Sequence, residues 1–94
     1  MQVAPGPNRH LFVCVHRRPE GDPLGPGCGG EGDAVYAAAK ALIARRGTVA
    51  REWATRALCL GFCPRRGATV ASYPAGRMLV GVTEADVPML FEEA

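Results

Sequence analysis

A chain of 94 residues, with 48% hydrophobic and 21% charged side chains, has the length and balance of one globular domain. At this size only about 60–65% of the unfolded surface is buried, so a bound metal centre would add useful stability. A net charge of +2 without long like-charge runs speaks against a nucleic-acid partner, and no window approaches the ~20 apolar residues of a membrane span.

The N-terminus MQVAPGPNRH has neither the basic nor the apolar region of a secretory signal, so the cytoplasm is the expected compartment. Residues 1–9 read as a flexible lead-in and residues 10–94 as a single domain. The segment HLFVCV, residues 10–15, is short, apolar and β-prone, which suits a buried strand. Prolines and glycines then fill residues 16–30. Loops of this length without regular structure are usually functional or disordered, and this one carries a cysteine near each end.

A helix is expected at 33–46. Val35, Ala38, Ala39, Leu42 and Ile43 make one apolar stripe, Asp33 complements the positive helix end, Arg45 and Arg46 the negative end, and Gly47 is placed to cap it. The segment VAREWATRA, residues 49–57, mixes helix-favouring Ala, Arg and Glu with a strand-like alternation of Val49, Trp53 and Thr55, and it is assigned to a strand. ATVASY (68–73) and RMLVGV (77–82) flank Tyr73-Pro74-Ala75-Gly76, where Pro and Gly suit a type I turn between two antiparallel strands. A last helix carries Val87, Leu90 and Phe91, with Thr83 and Asp86 spaced as a capping box and Pro88 moving its regular part toward Asp86. The order β-α-β-β-β-α describes a mixed α/β (α+β) sheet with one crossover unit, an antiparallel hairpin and a closing helix.

The stretch GPGCGG, residues 25–30, matches the G-x-G-x-x-G fingerprint of dinucleotide-binding loops. In such folds the glycines follow the first strand almost at once and deliver phosphate to a helix N-terminus. Here nine residues, His16 to Leu24, intervene, and Pro19, Gly21 and Pro23 among them favour turns. Glu52, about 20 residues further on, falls where an acid for a ribose would be expected. The competing explanation is that the glycines leave room for Cys28 and the backbone amides beside it to approach a metal centre closely.

Cys14, Cys28, Cys59 and Cys63 are separated by 13, 30 and 3 residues, and all fall at strand ends or in loops. Disulfides would require an oxidising compartment. Thiol–disulfide exchange normally uses C-x-x-C at a helix N-terminus, whereas the close pair here is C-x-x-x-C before a strand. Structural zinc usually takes two tight knuckles, and only one is present. An iron–sulfur cluster, being larger than one ion, can be held by one long and one short loop.

HLFVCVHRRPEGDPLGPGC, CLGFC and YPAG together resemble the thioredoxin-like [2Fe-2S] ferredoxins, a family related to the small iron–sulfur subunit of respiratory complex I. The likeness extends from His10 to about Glu93. It is carried by the first strand with Cys14, the Arg18-Pro19-x-Gly21-x-Pro23-x-Gly25 loop leading to Cys28, the C-x-x-x-C pair and Tyr73-Pro74-x-Gly76. The resemblance implies a thioredoxin-like fold with Cys14, Cys28, Cys59 and Cys63 as ligands of one [2Fe-2S] cluster per chain. It also implies a one-electron carrier rather than an enzyme, passing electrons to a redox partner protein at a low potential, near about −400 mV for plant-type centres. Two departures stand out: the loop to Cys28 is slightly longer than usual, and Gly67-Ala68 replaces the family's Gly-Pro after the last cysteine. Members often continue past the last helix into a tail that supports a homodimer, and this chain stops at Ala94, so the homodimer stays an open expectation. The alternative from another class is a zinc- or cluster-binding interaction module without redox turnover.

Ten of the eleven basic residues are Arg. A GC-rich genome would produce the same excess, but Arg17, Arg18, Arg65 and Arg66 each follow a cysteine within four positions. There they can tune an anionic cluster or form a basic rim for an acidic partner. His10 and His16 flank the first strand as surface or supporting residues, and Tyr36 and Trp53 are expected to pack.

Overall fold

The computed structural model describes residues 1–23, 25, 27–58 and 66–92. Four strands form one sheet in the order β2-β1-β3-β4. The central strand β1 (Arg9–Cys14) runs parallel to β2 (Glu52–Ala57), with Arg9 opposite Glu52 and Cys14 opposite Ala57. On its other side it is antiparallel to β3 (Ala68–Tyr73), placing His10 beside Tyr73 and Val13 beside Val70. β4 (Arg77–Val82) completes the hairpin with β3. Alternation along β1 sends Leu11 and Val13 to the core, where both are fully buried.

The ambiguous 49–57 segment is a strand from Glu52 onward. Pairing along the whole of β1 outweighs the helix preference of its Ala, Arg and Glu residues, as tertiary context commonly does. Where the sequence points to a type I turn, the Tyr73–Pro74 peptide is cis and Gly76 has φ 71°.

Helix α1 (Gly29–Arg46) crosses from β1 to β2 and packs Val35, Ala39 and Ile43 into the core, with Ala38 and Leu42 against its edge. Its C-terminus is as expected: Arg45 and Arg46 lie in the last turn, and Gly47 at φ 68° donates to the Ala44 carbonyl. Its N-terminus starts four residues before the expected Asp33, taking in Gly29, Gly30 and Gly32. Glycine is a poor helix former, and the reason for tolerating it here lies in the close contacts described below.

Thr83 donates both its backbone N–H and its hydroxyl to Asp86 Oδ2, at 2.9 and 3.0 Å. A 3-10 turn at Glu84–Asp86 then leads into the short helix α2 (Val87–Leu90). Pro88 falls in the first turn of α2, where a missing N–H costs no internal bond. Val87, Leu90 and Phe91 are buried.

At the start of β2, Glu52 is buried and ties three elements together. Its carboxylate accepts from Arg9 at 2.7 Å, from Arg46 at 2.8 Å and from the Thr48 hydroxyl. Both guanidinium groups also lie over the Phe91 ring, 5.5 and 5.3 Å from its centroid, so the same arginines hold the C-terminal turn in place. Burial raises the pKa of Glu52, but the bonds from Thr48 and Arg46 and the charges of Arg46 and Arg9 outweigh it and hold the carboxyl below its ordinary value. Among the described residues no helix is long and apolar enough to cross a membrane.

Candidate metal centre

Register places Cys14, together with Leu58 and Arg66 on either side of the segment that carries the second cysteine pair, at one end of the sheet. Cys14 ends β1, opposite Ala57 at the end of β2. The ladder continues one step further, with the Val15 N–H bonding the Ala57 carbonyl at 2.8 Å. The Cys14 thiol lies 3.7 Å from the Leu58 carbonyl, directly before Cys59. Across the sheet, Val13 pairs with Val70, so the start of β3, reached from Arg66 and Gly67, lies at this same end. Cys59, Cys63 and Arg65 fall outside the described residues. Their flanking residues Leu58 and Arg66 border the end of the sheet that holds Cys14.

Cys28 closes the long loop, as expected, in the N-cap position directly before α1. It is fully buried, as is Cys14. The thirteen-residue gap between them is closed by a bridge between Arg17 and Gly27 and by the Gly29 N–H bonding the His16 carbonyl at 3.0 Å. Inside the loop, Asp22 bonds back to Pro19 and Gly25 back to Asp22. The loop is therefore a folded excursion that returns beside its own start.

Two glycines make this return possible. A Cβ at Gly32 would overlap the Cys14 carbonyl, and a Cβ at Gly29 would overlap the Arg17 side chain. Gly32 also donates its N–H to the Cys28 carbonyl, so its backbone lies against both cysteine segments. These contacts explain why a helix begins in so glycine-rich a stretch: packing against Cys14 compensates for weak propensity. Gly32 lies outside the G-x-G-x-x-G pattern, and no spacing rule singles it out. Its only sequence signal is the density of glycines around Cys28.

The fingerprint reading does not fit this arrangement. The close approach at Gly27 is to the chain's own His16 carbonyl, while Gly25 and Gly30 face open space. Glu52 is committed to Arg9, Arg46 and Thr48 at the opposite end of the β1–β2 pair from Cys14.

The arginines divide. Arg17 lies along Gly29 and reaches Asp33 at 2.7 Å, with its side chain 64% exposed. Arg18 is half-buried and Arg66 is exposed. His10 stacks on Phe12 at 4.0 Å and bonds the Thr55 hydroxyl at 2.7 Å; burial lowers its pKa. Tyr36 packs against the core beneath the Arg56 guanidinium, 4.8 Å from its centroid, whereas Trp53 stays 40% exposed.

A [2Fe-2S] group would need thiolate donors, close backbone and room free of side chains. Buried Cys14 and Cys28 supply two of the thiol donors, and at Gly32 the helix backbone lies directly against the Cys14 carbonyl, so the described part of the site fits such a group in its donors and its close backbone. Cys28 also lies at the positive end of an 18-residue helix, which favours a thiolate and the anionic group bound to it.

No family model and no curated protein matches the chain. Solved structures do. The wild-type thioredoxin-like [2Fe-2S] ferredoxin from Aquifex aeolicus is 28% identical and superimposes with a TM-score of 0.79, over 93% of this chain and 84% of that one. A second structure of a thioredoxin-like [2Fe-2S] ferredoxin from that organism gives 0.80 over 93% and 79%. A cysteine-to-serine variant gives 0.78 over 89% and 83%. The chain thus has the thioredoxin-like fold and resembles the thioredoxin-like [2Fe-2S] ferredoxins over nearly its whole length.

Proposed function

We propose that this chain is a [2Fe-2S] ferredoxin, a cytoplasmic one-electron carrier and not itself an enzyme, with Cys14, Cys28, Cys59 and Cys63 as the cluster ligands. The observation that carries the reading is that Cys14 and Cys28 are both buried at one end of the sheet, with the Leu58 carbonyl against Cys14 and Arg66 leading into β3 at that same end. Similarity to ferredoxins of known structure supports it.

When bound, the cluster supplies reversible one-electron oxidation and reduction. The protein's part is to hold the site without rearrangement. Cys14 is fixed at the end of the central strand by pairing with Ala57 of β2, and Cys28 by the loop bridge and the first turn of α1. The oxidised cluster with four thiolates is a dianion, which brings the chain's +2 to about zero. In this reading Arg17, Arg18, Arg65 and Arg66, each within four positions of a cysteine in sequence, offset that charge and steer an acidic redox partner. The same reading includes a homodimer.

Metal and labile-sulfide analysis of the purified protein tests the proposal. About two irons and two sulfides per chain, with visible charge-transfer bands bleached by one electron, are expected. A colourless chain with one zinc and no sulfide overturns it and establishes the zinc-module alternative.

A further inference from the structure

We infer that Arg17 is a positioning residue for Cys28: its side chain is a strap across the first turn of α1, fastened at Asp33. The inference rests on the reading of Cys28 as a cluster ligand and adds what keeps that ligand in place.

One short segment of chain grips the start of α1 on two neighbouring stripes. Residues four apart share a helix face, so Cys28 and Gly32 form one stripe and Gly29 and Asp33 the next. On the first stripe, Gly32 leaves room for the Cys14 carbonyl and the Val15 Cα, and its N–H bonds the Cys28 carbonyl. Arg17 lies on the second. Its stem, from Cγ to Nε, fills the space that a Cβ at Gly29 would need, and its Nη2 donates to Asp33 Oδ2 at 2.7 Å. The backbone at its root is held as well, by the bridge from Arg17 to Gly27 and by the bond from Gly29 to the His16 carbonyl at 3.0 Å. The segment from Cys14 to Arg17 is thus a clasp around the turn that starts at Cys28, and Arg17 is its side-chain arm.

The role is local. An exposed ion pair adds little to global stability, and this one is open to water, with side chains 64% and 48% exposed. Its two ends, however, are 16 residues apart and enclose the proline- and glycine-rich loop together with Cys28. Releasing them opens that loop while the sheet stays closed, which is how a ligand can leave without the protein unfolding. The glycine at position 29 fits the same account. It gains nothing for the helix, and the space it frees is occupied by the arginine stem. Asp33, which also complements the positive end of α1, serves as the buckle.

Iron release from the holoprotein to a chelator, hydrogen–deuterium exchange and urea unfolding test this in Arg17→Ala, Asp33→Asn and Gly29→Ala. The expected result is release about two- to fivefold faster in each, the range an exposed ion pair can supply. Faster exchange should be confined to residues 16–33. Gly29→Ala separates a strap from simple stabilisation: Ala favours the helix and the displaced arginine can enter solvent, so the urea midpoint should hold or rise while iron leaves faster. Arg17→Lys, which keeps the stem and the charge, should restore most of the retention. In the Arg17→Ala background, Gly29→Ala should speed release no further, because both act on one contact. Lys40→Gln, on the exposed middle of α1, should change none of these readings. Release at the unmodified rate in Arg17→Ala and Asp33→Asn, or additive effects of Arg17→Ala and Gly29→Ala, overturns the inference. A purified chain with zinc and no sulfide would sink the cluster reading instead, and exchange over residues 16–33 would then decide the strap by itself.

Discussion

Gly32 lies against the carbonyl of Cys14, in the space its own Cβ would need. A helix that is weak by composition is thereby pressed onto the end of the central strand. The neighbouring Gly30 has nothing within 4 Å of its Cβ position, which makes the two glycines a matched pair.

Gly32→Ala should destabilise the chain by about 2–4 kcal/mol, since backbone rather than a pliable side chain must move. Gly30→Ala should be neutral or stabilise by about 0.5–1 kcal/mol through helix propensity. Urea unfolding of the two variants checks this, and equal midpoints would refute the close-packing account.

Replacing Cys14 by Ala should abolish cluster retention. A cysteine in a loose glycine loop would be replaceable by a nearby ligand, but Cys28 is buried at the first turn of α1 and its loop is bridged. Cys28→Ala should therefore lose iron as completely as Cys14→Ala, within about twofold in rate of release to a chelator. A markedly slower loss from Cys28→Ala would show that the loop can reorganise.

The Glu52 cluster predicts an acid-sensitive fold. With a carboxyl pKa held below its ordinary 4.5, the group stabilises the fold at pH values above that figure. The contribution is lost as pH falls through the lower folded-state value. Glu52→Gln should cost about 2–3 kcal/mol at neutral pH and flatten the decline of stability between about pH 5 and 3. Thermal unfolding across that range would reveal it, and an unchanged slope would assign the acid response elsewhere.

Arg17, Arg18, Arg65 and Arg66 changed together to Gln should slow electron transfer to an acidic partner and make the rate less dependent on ionic strength, at unchanged potential. The exposed Arg66 and the largely exposed Arg17 motivate that direction. A shifted potential with the salt dependence intact would mean that the arginines act on the cluster rather than on docking.

Much of this molecule was legible in the sequence because its signals are local. The stripe from Val35 to Ile43, the Gly47 cap, the Thr83–Asp86 spacing and the two hairpin strands each follow from neighbours a few residues apart. The start of α1 was not legible, because Gly29 and Gly32 are poor helix formers and only contact with Arg17 and Cys14 makes that turn favourable. Glu52 misled for a related reason. Its distance from the glycines matched a ribose-binding acid, while its true partners, Arg9 and Arg46, lie 43 residues before and 6 residues before it. The cysteines could be read as a set, but the place of Cys14 beside Leu58 depends on β1 pairing with a strand far downstream.

That central place of β1 has a consequence for synthesis. Cys14 and Cys28 leave the ribosome well before Ala57 and Val70, whose strands flank β1, have been made. Closing contacts so distant along the chain is slow compared with forming α1. For that interval both thiols belong to a nascent chain with a helix but no sheet, and their burial comes only when the later strands arrive. The order of translation therefore sets a period of thiol exposure that a chain with β1 at its C-terminal end would not have.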